Sequence, residues 1–327
     1  MRSNEFGRTG RQVSEIGFGA WAIGASWGHV DEGDAIAALN EAVDRGVTFI
    51  DTADVYGDGL SERLIARALK GRAGARPYVA TKTGRRLPAQ DVAGYTAANL
   101  TTWIDRSLRN LEVDTLDLVQ LHCPPTDLYY HPEVFARLDD LVKQGKIRNY
   151  GVSVERVEEG LKAIEFPGVT SVQIIFNIFR LRPAETFFDA AKRNKVAVIA
   201  RVPLASGLLS GKFRADTKFE DSDHRKFNRQ GEAFDVGETF SGVPYEVGLA
   251  AVEKIRPLVG SASMAQFALR FILMFDAVSV VIPGARNAAQ ARSNAEAVDL
   301  PPLTPETMSA LKAIYERDIK PYVHQRW

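Results

Sequence analysis

Short apolar runs alternate with helix-patterned stretches along this chain, eight times over. The runs are 15–21, 49–53, 78–82, 116–122, 148–154, 172–177, 196–202 and 278–283. Most are rich in Val, Ile and aromatic residues. Their near-continuous hydrophobicity suits strands covered on both faces. Between them, Ile36, Leu39 and Val43 recur at helical spacing, as do Leu100, Trp103, Ile104, Leu108 and Leu111. Pro132 fits the first turn of a helix carrying Val134, Leu138, Leu141 and Val142. Strand and helix in alternation imply parallel βαβ units, and eight of them point to a closed barrel. A sheet with two unequal halves would meet the same alternation.

Two segments break the rhythm. Residues 6–13 read as a tight hairpin ahead of the first strand. Residues 213–244 are polar, of mixed charge and punctuated by glycine, and a loop that long inside a compact domain is usually functional or mobile. The expectation is therefore an α/β fold: a (β/α)₈ TIM barrel with an N-terminal β-hairpin and a long loop after strand 7. Residues 1–327 would form this one domain, since α/β barrels reach such a length without subdividing.

Composition excludes several function classes. With 41 basic and 41 acidic residues, no bulk field favours nucleic acid or an anionic membrane surface. No apolar run approaches the ~20 residues needed to span a bilayer, and no signal core is visible near Met1. A cytoplasmic protein is expected. The one cysteine, Cys123, cannot form an intramolecular disulfide. The five histidines (29, 122, 131, 224 and 324) form no H-x-H or H-x-x-x-H pair. That argues against a metal-dependent barrel hydrolase, and no metal is expected.

Gly17-Phe18-Gly19-Ala20-Trp21-Ala22 matches the loose dinucleotide pattern G-x-G-x-x-A. That motif must open directly into a helix whose N-terminus holds the pyrophosphate. Here residues 24–29 intervene, and the helical pattern starts only near Asp31. The match is read as a decoy.

In a barrel, chemistry sits at the C-terminal ends of the strands. The second run ends in Asp51 and leads to Tyr56, the third ends in Lys82 and the fourth in His122. These four residue types make a coherent proton-donating unit. A free tyrosine, with a pKa of about 10, is a poor acid at neutral pH, and a neighbouring lysine lowers that value. A buried lysine needs a counter-charge, which Asp51 can supply. A histidine can hydrogen-bond the substrate oxygen and hold it beside the phenol. Singly, each has a bland reading: Asp51 as a turn cap, Lys82 as solvated, Tyr56 as loop packing. Their coincidence at three successive strand ends is harder to set aside.

With those stretches in hand, the chain resembles the aldo-keto reductase family along nearly its whole length. The matching segments are the hairpin before Ile16-Gly17-Phe18-Gly19, Phe49-Ile50-Asp51-Thr52-Ala53 with Tyr56-Gly57, Thr81-Lys82, Leu121-His122, Gly151-Val152-Ser153 and Gln173. They continue with Pro203-Leu204, Gly207-Leu208-Leu209-Ser210-Gly211-Lys212, and Ile282-Pro283-Gly284-Ala285-Arg286 with Gln290 and Asn294. The resemblance is to the branch that includes potassium-channel beta subunits. It implies an NAD(P)H-dependent oxidoreductase in which Asp51, Tyr56, Lys82 and His122 are catalytic. Tyr56 would be the acid, Lys82 would tune it, Asp51 would hold Lys82, and His122 would orient the carbonyl.

The resemblance also implies a cofactor stretched across the barrel mouth. Gly19, Ala20, Trp21 and Asp51 would line its nicotinamide and ribose, and Ser153 and Gln173 would bond the carboxamide. Pro203, Leu204, Ser206, Gly207, Leu209, Gly211 and Lys212 would follow the pyrophosphate, whose charge suits closely approaching glycine amides. Gly284, Arg286, Gln290 and Asn294 would take the adenosine. An arginine fork at a helix N-terminus suits a 2′-phosphate, so NADPH (NADP+) is expected rather than NADH. The long loop would serve as a clasp, and Asn177 is read as structural.

Two positions depart from the family pattern. Val154 replaces a usual asparagine partner of the carboxamide. Arg201, also placed among the cofactor contacts, replaces an aromatic that stacks on the nicotinamide; it could instead meet the pyrophosphate or an anionic substrate. Trp21, Trp27, Tyr56, His122 and Tyr129 are expected around a small carbonyl substrate. Cys123, adjacent to His122, should point away by strand alternation. A regulatory subunit that binds nicotinamide with little turnover is the rival reading, and the complete tetrad argues against it. By family analogy a monomer is expected.

Overall fold

The structure is a computed structural model that describes residues 1–24, 27, 28 and 30–327. His29 and the 25–26 part of the segment separating the decoy from its helix lie outside the described residues. Strands β1 (Ser3–Glu5) and β2 (Gln12–Ser14) pair antiparallel, with Asn4 opposite Val13. Eight parallel strands follow: β3 (Phe18–Gly19), β4 (Phe49–Asp51), β5 (Tyr78–Thr83), β6 (Leu116–His122), β7 (Ile147–Ser153), β8 (Val169–Ile175), β9 (Ala197–Arg201) and β10 (Val278–Val281). They lie side by side in chain order. Parallel bridges Ile16–Val281 and Gly19–Gly284 then join the first strand's segment to the last and close the ring. This is the expected (β/α)₈ barrel, with its hairpin.

Closure explains the decoy glycines. The N–H groups of Gly17 and Gly19 donate to Val281 O (2.8 Å) and Pro283 O (3.0 Å). A Cβ on Gly19 would lie 2.6 Å from Ile282 O, so only glycine lets the two segments approach this closely. After Gly19 the chain turns through a 3₁₀ segment (Ala20–Ile23), and helix α1 (Glu32–Asp44) begins only after Asp31 caps it. The strand itself is shorter than the 15–21 run, because apolar residues on either side face the core from irregular backbone.

Helices α2 (Leu60–Leu69), α3 (Ala97–Leu111), α4 (Pro132–Lys143), α5 (Val157–Ala163) and α6 (Phe187–Arg193) succeed β4 to β8 in turn. Helix α3 shows why they form: Thr96 accepts the Asn99 N–H at its start, and Leu100, Trp103, Ile104, Ser107 and Leu111 bury one stripe. Pro132 stands at the start of α4, as its fixed φ favours. Further on come the four-residue α7 (His224–Phe227), then α8 (Tyr245–Ile255), α9 (Met264–Ile272), α10 (Ala288–Ala295), α11 (Pro305–Ile314) and α12 (Lys320–Val323). Among the described residues, no helix is long and apolar enough to cross a membrane.

Period-2 alternation fixes what the barrel encloses. One cluster, including Phe6, Phe49, Tyr78, Leu118, Ile199 and Val280, fills its lower half. The hairpin plugs that end: the Phe6 ring lies 5.3 Å from Phe49 and 5.6 Å from Tyr78. Two residues further up the same inward faces stand Asp51 above Phe49, Gln120 above Leu118 and Arg201 above Ile199. The apolar plug thus sits beneath a polar layer at the C-terminal mouth. The long segment after β9, the seventh barrel strand, folds back over that mouth. It holds α7 and 3₁₀ turns at Val236–Glu238 and Phe240–Gly242. Asp223 bridges to Trp27, and Asn177 donates to Ser241 Oγ (2.8 Å) and to Val202 O (2.9 Å), which gives Asn177 its structural role.

Candidate active site

Lys82 is the hub of the polar layer, 1% exposed. Its Nζ donates to Asp51 Oδ1 (2.5 Å), Thr52 O (2.9 Å) and Tyr56 Oη (3.3 Å). Asp51 Oδ2 accepts from Gln173 Nε2 (2.7 Å) and Gln120 Nε2 (3.2 Å). The carboxylate is therefore fixed from both sides, and it in turn fixes the ammonium. Tyr56 arrives on the turn after β4, where Asp54 N bonds Lys82 O (3.1 Å) and Tyr56 N bonds Ala53 O (3.1 Å). The Tyr56 ring meets His122 edge-on at 5.9 Å. All four expected catalytic side chains come together.

Their charges follow from their surroundings. Burial works against a charged Lys82, but Asp51 and Tyr56 outweigh it, and the ammonium is held more firmly than in water. Burial, with Arg85, Lys82 and Arg201 adding, holds His122 well below the ordinary histidine range. At neutral pH it is uncharged, with one N–H to give. Its Nδ1 is buried and has no partner among the described residues. Tyr56 differs from expectation. Lys82 does pull it down, but burial is the larger influence, with Asp51 and Glu238 adding, and the net direction is upward. The phenol stays protonated, and Lys82 limits how reluctant an acid it becomes.

The long loop supplies one wall of the site. The Trp21 ring stacks beside Tyr56 at 6.1 Å, and Trp27 meets Trp21 edge-on at 5.3 Å. His224 lies 4.6 Å from Trp21 and 4.4 Å from Trp27, and Phe234 lies 6.0 Å from Trp21. Neither His224 nor Phe234 carries a periodic signal, because both sit in the long, largely irregular segment after β9. Tyr129, expected near the substrate, is fully buried among core residues on a 3₁₀ turn after β6.

Arg201, placed among the cofactor contacts, meets protein groups in this structure. Its Nη2 donates to Glu155 Oε2 (2.8 Å) and Val154 O (3.1 Å) and lies 3.6 Å from Cys123 Sγ. Arg85 Nη2 reaches Glu238 Oε1 (2.5 Å) and Glu155 Oε1 (3.5 Å). Cys123 does not point away: at φ 46° it has left the strand geometry, and its sulfur lies 3.5 Å from Ser153 Oγ. Ligand atoms of Cys123, Glu155 and Glu238 come within 4.8 Å of one another, but both carboxylates answer to arginines. Of this group, Glu155 was within reach of sequence reasoning, two residues beyond Ser153.

Several features suit a nicotinamide dinucleotide. The Gly19–Gly284 bridge brings two segments expected to contact it side by side. The stretch after β9 concentrates strained backbone, with Val202 (φ 52°), Ala205 (47°), Ser206 (53°) and Gly207 (98°) all left-handed. Such conformations cost about 1–3 kcal/mol each for side chains with a Cβ and gather where backbone must meet a ligand. Two of these amides bond within the turn, Ala205 N–H to Val202 O (3.0 Å) and Gly207 N–H to Leu204 O (2.8 Å). Helix α10 begins beyond Arg286, with Asn287 capping it through the Gln290 N–H (3.0 Å). Gln290 Oε1 accepts the Arg286 N–H, and Asn294 Nδ2 donates to Gly284 O, which shapes this loop. At the nicotinamide end, Gln173 Nε2 is engaged by Asp51 Oδ2 (2.7 Å) and Gln120 Oε1 (3.3 Å), with Ser153 opposite Gln173 on the neighbouring strand.

The Aldo/keto reductase family model matches residues 15–316. Aldo-keto reductase YhdN of Bacillus subtilis is 30% identical over 303 residues, covering 90% of this chain and 88% of that protein. Among solved structures, the glycerol dehydrogenase AKR11B4 from Gluconobacter oxydans superposes with a TM-score of 0.77 at 29% identity, covering 98% of this chain and 95% of that one. The holo form of aldo-keto reductase AKR11C1 from Bacillus halodurans does so at 0.75 and 27%, covering 96% of both.

Proposed function

The chain belongs to the aldo/keto reductase family, and from that premise we propose an NADPH-dependent oxidoreductase that reduces an aldehyde or ketone to an alcohol. The observation that carries the reading is the buried Asp51–Lys82–Tyr56 chain beside an uncharged His122. Gly19, Ala20, Trp21, Asp51, Ser153 and Gln173 would hold the nicotinamide end. The strained segment from Pro203 to Lys212 would follow the pyrophosphate, and Gly284, Arg286, Gln290 and Asn294 would hold the adenosine. Bound NADPH would supply the hydride that reduces the carbonyl carbon.

The chain's own part is to bind, orient and protonate. The His122 N–H and the Tyr56 O–H both donate to the carbonyl oxygen and stabilise the charge that grows on it. An uncharged His122 cannot give up a proton and remain imidazole, so the proton comes from Tyr56. Lys82 then stabilises the phenolate, and Asp51 keeps Lys82 from turning away. Trp21, Trp27, His224 and Phe234 exclude water. Oxidation of an alcohol is the same path reversed, in keeping with the glycerol dehydrogenase among its relatives. The complete tetrad favours turnover over a purely regulatory role.

Fluorescence titration with NADPH and with NADH tests the cofactor. The expected result is tighter NADPH binding, with Arg286→Ala weakening NADPH about 10–100-fold and NADH little, from the loss of a charge-assisted bond. Equal loss for both nucleotides would remove the argument for a 2′-phosphate.

A further inference from the structure

We infer that Arg85 and Arg201 form a seat for a carboxylate on the carbonyl substrate, a seat that Glu238 of the long loop fills in this structure. The inference deepens the reading above and rests on it, since it names the substrate class for the same site. Arg85 stands just past the end of β5, beside the β6 end that carries His122 and Cys123, and Arg201 ends β9, three strands further round the barrel. Arg201 touches the residue next to His122, and the charges of both arginines act on His122 itself. A substrate carbonyl at Tyr56 and His122 would thus have both guanidinium groups as neighbours.

The cluster is not internally complete. Arg201 is buried, yet its Nε has no partner among the described residues. Glu238 sits 2.5 Å from Arg85 but 3.7 Å from Arg201, so the loop carboxylate grips one fork and only approaches the other. Burial pushes Glu155 up to about 8 despite Arg201. Arg85 and Arg201 overcome the burial of Glu238 and hold it at about 2. Of the two carboxylates that Arg85 and Arg201 approach, Glu238 is thus held the more firmly in its charged form.

The two glutamates also sit on different elements. Glu155 follows β7 directly, and its N–H is held by Glu159 Oε2 (2.9 Å). Glu238 lies on a three-residue turn of the loop that covers the mouth. A loop that opened alone would strip two buried arginines of their charged partner, which is costly. A carboxylate arriving with the substrate removes that cost, because a guanidinium fork pairs with any carboxylate. Opening of the loop and entry of an anionic substrate are therefore linked. The substrate class is an oxo acid, or an aldehyde carrying a carboxylate.

The test compares succinic semialdehyde and 4-carboxybenzaldehyde with their methyl esters, using NADPH and the full chain. For the acid over its ester, kcat/KM should differ by about tenfold or more, as one charge-assisted bond allows. Arg85→Gln should bring that ratio close to one, and Arg85→Lys, which keeps the charge, should retain part of it. A wild-type ratio near one, or a ratio that survives Arg85→Gln in a folded variant, overturns the seat. Turnover of neither acid nor ester would instead count against the carbonyl-reductase reading. In that event benzoate and benzamide binding decide the seat: benzoate preferred, and weakened about tenfold in Arg85→Gln, supports it, whereas equal binding overturns it.

Discussion

Replacing Lys82 by Met removes a charge from the centre of the polar layer and keeps an apolar stem in its place. In the wild type, Nζ satisfies Asp51 Oδ1, Thr52 O and Tyr56 Oη together. In Lys82→Met, Asp51 keeps only the two glutamine amides on Oδ2, and Oδ1 faces a thioether. Breaking a buried pair from one side costs about 3–5 kcal/mol. Tyr56 also loses the one group that pulls it down, so its acidity falls further. Activity should drop by about 10²–10⁴-fold, the usual contribution of a positioned acid. Adding Asp51→Asn removes the stranded charge, so the double variant should regain most of the lost stability, at least about 2 kcal/mol, and none of the activity. Urea unfolding and steady-state aldehyde reduction measure the two effects separately. A double variant no more stable than Lys82→Met, or a single variant that keeps wild-type turnover, would refute the reasoning.

Other consequences concern pH and packing. Burial, with Glu62 adding, pushes Asp54 up to about 7, against the pull of Arg86 and Arg106. The folded state then holds a proton that the unfolded state releases near 4. Stability should fall by up to about 1.4 kcal/mol per pH unit between these values and level off above 7. Asp54→Asn should therefore raise the melting temperature at pH 8 and bring little gain near pH 4. Glu238 raises Tyr56 through its charge, and in the proposed reaction the protonated phenol is the active form for reduction. Glu238→Gln should move the alkaline fall of kcat/KM to lower pH; no movement would separate the two groups. A Cβ on Gly242 (φ 76°) would meet the Trp327 ring at 2.4 Å, so Gly242→Ala should destabilise by about 1–3 kcal/mol in denaturant unfolding.

The barrel was legible because its code is periodic. Each of the eight apolar runs overlaps a strand, and inward alternation brings Asp51, Lys82 and His122 to the barrel mouth with Ser153, Gln173 and Arg201. The same alternation could have identified Gln120, two residues before His122, as a partner of Asp51. Cys123 marks where the rule ends: one residue past the strand, a positive φ turns its side chain towards Arg201. Glu238, His224 and Phe234 were beyond reach, since nothing periodic fixes where a long irregular loop sets its side chains. Tyr56 shows a further limit. The sequence identifies a lysine beside the phenol, but the net direction of its acidity depends on how deeply the fold buries both.

The central claim is that Tyr56 gives the proton that completes carbonyl reduction. Loss of nicotinamide absorbance with NADPH and a reactive aryl aldehyde, in wild type and in Tyr56→Phe, measures this directly, with quenching of protein fluorescence by NADPH as the control. Wild type should turn over, and Tyr56→Phe should lose about 10²–10⁴-fold, with NADPH binding unchanged. A Tyr56→Phe protein that reduces the aldehyde at the wild-type rate would contradict it.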